Sequence, residues 1–337
     1  MHSFEHTPAE ARALLAKSIK DLDLRIEGTP LEKHVAQLHR ELREAGLPRF
    51  QPRCYLTDEW ACPDGEPIIG IPFYLADPQL AVLEASMNDV EDEREILMYL
   101  RHEAGHALNY AFKLHERPEW VALFGVYEQP YLDDYKPVPF SRRFVRHIAG
   151  WYAQKHPDED FAETFAVWLT PGLDWRSRYA GWPALKKLEY VDAIARELAQ
   201  RDPPRSLADA VAELPASEMK ATVKEFYEAT TRDEERELAA LAGQRDLEDL
   251  FSPAATDGQP ASALIQQHRR GLVDKITYWT GVRRSLVKAL VDAIARRARE
   301  HELTVPRGKE AATLIELSAY CTVLVMTYLA HGRFVEG

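Results

Sequence analysis

The chain has 337 residues, 46% of them hydrophobic and 28% charged, and a formal net charge of -12. That length allows one large domain or two ordinary ones with a substantial core. The acidic balance lacks the basic footprint that nucleic acid requires of a partner, so nucleic-acid binding is excluded. No apolar run is read as reaching the roughly 20 residues that span a bilayer, so no membrane partner is expected. The first six residues, MHSFEH, carry no basic region followed by an apolar stretch, and no export signal is expected either. Cys54, Cys62 and Cys321 are too few for a disulfide framework and read as free thiols of a reducing, cytoplasmic compartment.

Residues 8–45 carry two helical stripes, Leu14, Leu15, Ile19 and Leu22, then Leu31, Val35, Leu38 and Leu42, split at Gly28-Thr29-Pro30. Residues 49–80 turn to prolines, aromatics and β-branched side chains. There Arg53-Cys54-Tyr55-Leu56 and residues 67–75 read as strands joined through Pro63-Asp64-Gly65. Pro67 and Pro72 suit an edge strand. A long helix is expected over 89–114, a structured aromatic loop over 118–140, a short basic helix over 141–155, and a helix over 158–169 stopped by Pro171-Gly172. Helix continues to about residue 201. The stretch 203–262 reads as an acidic linker or insertion, with 252–262 its most flexible part. Residues 263–334 return to strong helical patterning. The expected organisation is N-terminal helices over 1–48, a catalytic segment over 49–202, the linker, and a helical C-terminal subdomain over 263–337.

Within the long helix stands His102-Glu103-Ala104-Gly105-His106, an HExxH motif. Two histidines four residues apart differ by about 40° around a helix, so both imidazoles leave one face and can share a metal ion, with Glu103 beside it as a proton carrier. Residues 96–113 show no polar face, which marks a central, buried helix. Two histidines and a glutamate inside it must be satisfied internally, and zinc coordination does that. Gly105 admits a second backbone at close range.

Such a site needs a third protein ligand. The metzincin pattern would require glycine at position 109 and histidine at 112; Asn109 and Phe112 stand there instead. A glutamate on a later helix is the other arrangement. In the 158–169 segment Phe161, Phe165, Trp168 and Leu169 form one apolar stripe, while Glu163 lies opposite among Ala162, Ala166 and Val167. A carboxylate on that second buried face needs a cation. Asp160, one turn earlier, competes as the ligand or orients a ligand histidine. Glu159 and Asp158 read as surface acids of a helix start.

The pair HExxH and Asp160-Phe161-Ala162-Glu163-Thr164-Phe165-Ala166 resembles the gluzincin metallopeptidases, in particular a bacterial family called "putative zinc-binding metallopeptidases". The likeness covers residues 95–170. It implies His102, His106 and Glu163 as zinc ligands, Glu103 as general base, and an α+β, mainly helical fold. In that fold a zincin-like core has a small sheet against the HExxH helix, and an edge strand binds extended peptide. Compact gluzincins such as the lethal-factor-like enzymes place an oxyanion-stabilising tyrosine seven residues before the ligand glutamate. His156 stands there in this chain, and Tyr152 is the second local candidate. Arg142 and Arg146 share one face of the expected basic helix and are candidates to grip a substrate carboxylate.

The expectation is therefore a Zn2+-dependent peptidase acting on a peptide or protein. Two alternatives stand beside it: a non-proteolytic protein stapled by a structural zinc, and a zinc hydrolase of a non-peptide amide or ester.

Overall fold

The computed structural model describes residues 9–87, 90–131, 135, 137–229, 247–253, 258–282 and 284–331. The fold is α+β and mainly helical. It forms two compact units, Met1–Ile148 with Tyr152–Tyr227, and Ala149–Trp151 with Glu228–Gly337.

The first unit runs α1 (Ala9–Leu14), α2 (Pro30–Glu44), β1 (Arg53–Thr57), β2 (Ile68–Pro72), α3 (Pro78–Met87), α4 (Glu93–Phe112), α5 (Pro118–Phe124), α6 (Pro157–Leu169), α7 (Trp175–Arg178), α8 (Leu185–Leu198) and α9 (223–229). Helix α4 starts at a capping box: Asp92 accepts from the Glu95 amide at 2.9 Å and Glu95 accepts from the Asp92 amide at 3.0 Å. From His102 to Phe112 every residue is buried, as a helix with no polar face requires. On one side α2 lies against α4, joined by a bidentate pair in which Arg101 donates to both Glu41 oxygens at 2.8 Å. On the other side α6 crosses.

That crossing is set by glycine. A methyl built on Gly105 would come within 2.7 Å of Ala162 Cα, 3.1 Å of Ala162 O and 3.2 Å of Phe165 Cβ. The neighbour at 2.7 Å is backbone, which cannot rotate away. The two helices that carry the acidic and imidazole side chains therefore approach as closely as their backbones allow.

The sheet against α4 is a parallel pair, with Arg53 opposite Ile68 through Thr57 opposite Pro72. Strand β2 is fully buried, and at Gly70 its free side is bridged by Ala61, whose carbonyl accepts the Gly70 amide at 2.7 Å. The connecting segment thus folds back along β2. Cys54 and Cys62 are free thiols, as is Cys321.

The expected basic helix over 141–155 is not formed; that segment is irregular, with only a 3-10 turn at Tyr152–Gln154. The backbone amides of His147 and Ile148 donate to the Glu163 carboxylate instead of to a helical carbonyl, and Phe140 and Trp151 adopt left-handed backbone angles, φ 61° and 59°. Within the expected aromatic loop, Pro118–Phe124 is helical. Of the 203–262 stretch, Ala216, Met219, Val223 and Tyr227 are buried in the core of the first unit. Its acidic part over 230–246 lies outside the described residues.

The second unit comprises α10 (Leu247–Leu250), β3 (Ser252–Pro253), β4 (Gln259–Pro260), α11 (Ala261–Thr280), α12 (Arg284–Glu300), β5 (Leu303–Val305) and α13 (Glu310–His331). Strand β5 sits between β3 and β4. It interrupts the expected helical run after Glu302, which turns left-handed at φ 51°. One expectation is corrected here: by length and composition alone, Glu310–Ala330 is long and apolar enough to cross a membrane. Glu316 and the serine, threonine and tyrosine residues between its apolar positions break up the run by eye without lowering its average enough. One face of this helix, with Leu317, Cys321, Leu324 and Val325, is buried in the unit's own core.

Gly105→Ala supplies a test of the helix crossing. It gains roughly 1 kcal/mol of helix propensity, but overpacking against backbone costs roughly 1–3 kcal/mol. The urea midpoint of the variant is expected to fall; a midpoint equal to or above the parent's would show that the crossing has slack.

Candidate metal centre

His102 and His106 project from α4 toward the first turns of α6. Each imidazole is held at Nδ1 by a carboxylate of that helix. His106 Nδ1 donates to Asp158 Oδ2 at 2.7 Å, and His102 Nδ1 to Glu163 Oε1 at 3.1 Å. Both acceptors are anchored in turn. Asp158 accepts from Asn109 Nδ2 at 2.7 Å and Tyr110 Oη at 2.6 Å. Glu163 accepts from the His147 amide at 3.2 Å and the Ile148 amide at 3.0 Å. With the proton committed at Nδ1, each ring presents a bare lone pair at Nε2.

Those two lone pairs face each other at 3.1 Å. Between them comes Glu159 Oε2, 3.0 Å from His102 Nε2 and 3.3 Å from His106 Nε2. Three acceptor atoms thus converge with no donor among them, all within 4.8 Å of one another, on residues that are all buried. Only a cation satisfies such a set, and two imidazole nitrogens with one carboxylate oxygen are the donors that a divalent metal takes.

Charge behaviour follows. Burial disfavours the charged form of His102, but the hydrogen bonds of Glu159 and Glu163 outweigh it and hold its pKa up at about 9. His106 is also raised, against its burial, by the charges of Asp158 and Glu159. Burial alone would lift Glu159, yet the two imidazoles hold it well below the usual carboxylate range. In the metal-free protein a proton stands in for the metal.

Glu103 is buried beside this cluster, and no group among the described residues hydrogen-bonds its carboxylate. Burial raises its pKa even though His102 and His106 pull the other way. Burial pushes the Cys62 thiol up, and the charges of Glu103 and Asp158 act in the same direction.

Residues 75–173 match the model of a family described as "Putative zinc-binding metallo-peptidase". The matched segment, under a third of the chain, contains α4 and α6 and hence every group of the cluster. No curated protein and no solved structure matches the chain.

Within the matched segment the other sequence candidates separate clearly. Glu163, expected as the third ligand, hydrogen-bonds His102 at Nδ1, while Glu159 Oε2 is the carboxylate oxygen that faces both Nε2 atoms. Asp158 and Glu159, expected on the surface, are 4% and 3% exposed. Asp160 orients no histidine; it pairs with Lys187 of α8, whose ammonium also lies 4.5 Å from the Phe144 ring centre. Burial lifts Asp160 to about 7 against the pull of that lysine.

His156 has both ring nitrogens in use. Nδ1 accepts the Asp158 amide at 3.2 Å, capping α6, and Nε2 donates to the Gln129 carbonyl at 3.0 Å. It has no proton to offer an oxyanion. Tyr152 lies at the cluster, its ring 5.7 Å from that of His102, and burial and the Glu159 charge keep its phenol protonated. Arg142 and Arg146 rest against Trp182, 5.6 and 5.2 Å from its ring centre. Tyr131 escaped the sequence reading; its phenol donates to Glu159 Oε1 and lies 3.2 Å from Tyr152 Oη.

The raised histidines give a pH test. His102 moves from 6.5 to about 9 on folding, so its protonated form stabilises the metal-free protein fully below pH 6.5, and that contribution is lost as pH rises through 9. Thermal melts of chelator-treated protein are expected to fall from pH 6.5 to 9. Zinc added at pH 9 is expected to restore them. A melt that rises over this range without metal would contradict the assignment.

Proposed function

We propose that the protein is a zinc-dependent metallopeptidase that hydrolyses peptide bonds. The observation that carries this reading is the Glu103 carboxylate, buried and without a hydrogen bond from the described residues, next to three convergent metal donors. A zinc that only staples the fold has no use for such a group. A base for an attacking water needs that freedom. His102, His106 and Glu159 hold the zinc. Three protein ligands leave one position for the reaction, the arrangement of catalytic rather than structural sites.

When bound, zinc supplies Lewis acidity: it lowers the pKa of water toward about 7 and polarises the scissile carbonyl. Glu103 takes a proton from the attacking water and returns it to the leaving amine, a task for which a raised carboxylate pKa is suited. Tyr152, held protonated, donates to the oxygen on which negative charge develops. Asp158 and Glu163 keep the two imidazoles in the tautomer that binds metal. The segment at Ala61, bridged to β2 at Gly70, is the backbone along which an extended peptide would lie.

Glu103→Gln is expected to retain one zinc per chain and to lose roughly 10²- to 10⁴-fold in turnover of a peptide library. Parent-like turnover by this variant would sink the mechanism. Tyr152→Phe is expected to lose roughly 10²- to 10³-fold in kcat with zinc content unchanged; an unaltered kcat would remove Tyr152 from the reaction.

A further inference from the structure

Glu159 has two oxygens, and they have different partners. Oε2 faces both histidines, at 3.0 and 3.3 Å. Oε1 accepts the phenol proton of Tyr131. Tyr131 is itself held on several sides. Its oxygen lies 3.2 Å from Tyr152 Oη and its ring is tilted against His156 at 5.2 Å. The Lys155 ammonium stands 4.2 Å from its ring centre. Yet the residue is 50% exposed and belongs to no helix or strand. Nothing in core packing demands a tyrosine there; what its hydroxyl does is occupy Oε1.

We propose that Tyr131 is a positioning residue that keeps Glu159 a one-oxygen metal ligand. A carboxylate can bind a cation through one oxygen or both. With Oε1 engaged by a charge-assisted hydrogen bond, only Oε2 is presented to the metal. A second oxygen swinging in would fill the position that the reaction requires. The phenol thereby reserves that position without touching substrate. The exposed attachment of Tyr131 sets this restraint apart from the buried restraints on the two histidines.

The inference rests on the metal assignment above but not on peptide hydrolysis, and the two are separated by using cobalt(II) in place of zinc. Parent, Tyr131→Phe and Tyr152→Phe are loaded with one cobalt per chain, and their visible spectra are compared. The Phe substitution removes one oxygen from a half-exposed ring and leaves its stacking in place. In Tyr131→Phe, Glu159 is expected to close onto the metal with both oxygens. The visible bands should weaken several-fold as coordination number rises, and X-ray absorption of the zinc form should gain one light ligand. Tyr152→Phe is expected to keep the parent spectrum. Where turnover is measurable, kcat of Tyr131→Phe is expected to fall roughly 10- to 100-fold with KM little changed. Identical cobalt spectra for the parent and Tyr131→Phe overturn the proposal whatever the turnover. A parent that takes up no cobalt overturns the metal assignment and this inference with it. Normal uptake and the expected spectral change, with no hydrolysis by any variant, support Tyr131 and count against the peptidase reading alone.

Discussion

Everything at this site follows from the choice of ring nitrogen. A neutral imidazole has one proton, and the carboxylates of Asp158 and Glu163 claim it at Nδ1 on both histidines. The Nε2 lone pairs are then forced to meet, buried, at 3.1 Å. Without a cation between them they would repel and lose their solvation. A hydrophobic interior built from α2, α4, α6 and the β-pair thus has at its centre a set of acceptors that is unsatisfied by design of its surroundings. The energetic cost of burying three carboxylates is eased by their position in the first turn of α6, where the helix dipole favours negative charge.

The parts of the molecule divide according to how they serve this set. Helix α4 supplies the two nitrogens and Glu103. Helix α6 supplies the carboxylate oxygen that faces them and both restraints on the histidines. The irregular 141–148 segment forgoes helical hydrogen bonds so that its amides can grip Glu163. Gly105 brings α4 and α6 together closely enough for the set to assemble. Tyr131 and Tyr152 belong to neither helix and reach the cluster from the segment between α5 and α6.

What could be read from the chain alone was what depends on local geometry. The four-residue spacing of His102 and His106, the apolar surround of α4 and the small residue at 105 are properties of one helix, and each is found as expected. The third ligand depends on which face of a second helix meets the first. Acids stand at positions 158, 159, 160 and 163, so hydrophobic stripes alone do not say which carboxylate faces the two Nε2 atoms. Asp158 and Glu159 look like ordinary acids of a helix start, and nothing local reveals that another helix covers them. His156 carried a usable signal: a polar residue followed by Pro157 and three acids is the pattern of a cap. Tyr131 carried none, because an irregular loop has no period from which a direction can be taken. The parallel pairing of β1 and β2 was equally hidden, since strand patterning is silent on orientation.

Consider the row of acids on α6 once more. Asp158 serves His106, Glu159 the metal donors, Asp160 the Lys187 ammonium and Glu163 His102. Four neighbouring carboxylates divide two imidazoles, at both of their nitrogens, and one ammonium among them, sorted by the 100° turn per residue. Insertion or loss of a single residue within this stretch would rotate each acid onto another's partner. Length here is as constrained as residue identity, and natural variation should reach the loops on either side before it reaches these six positions.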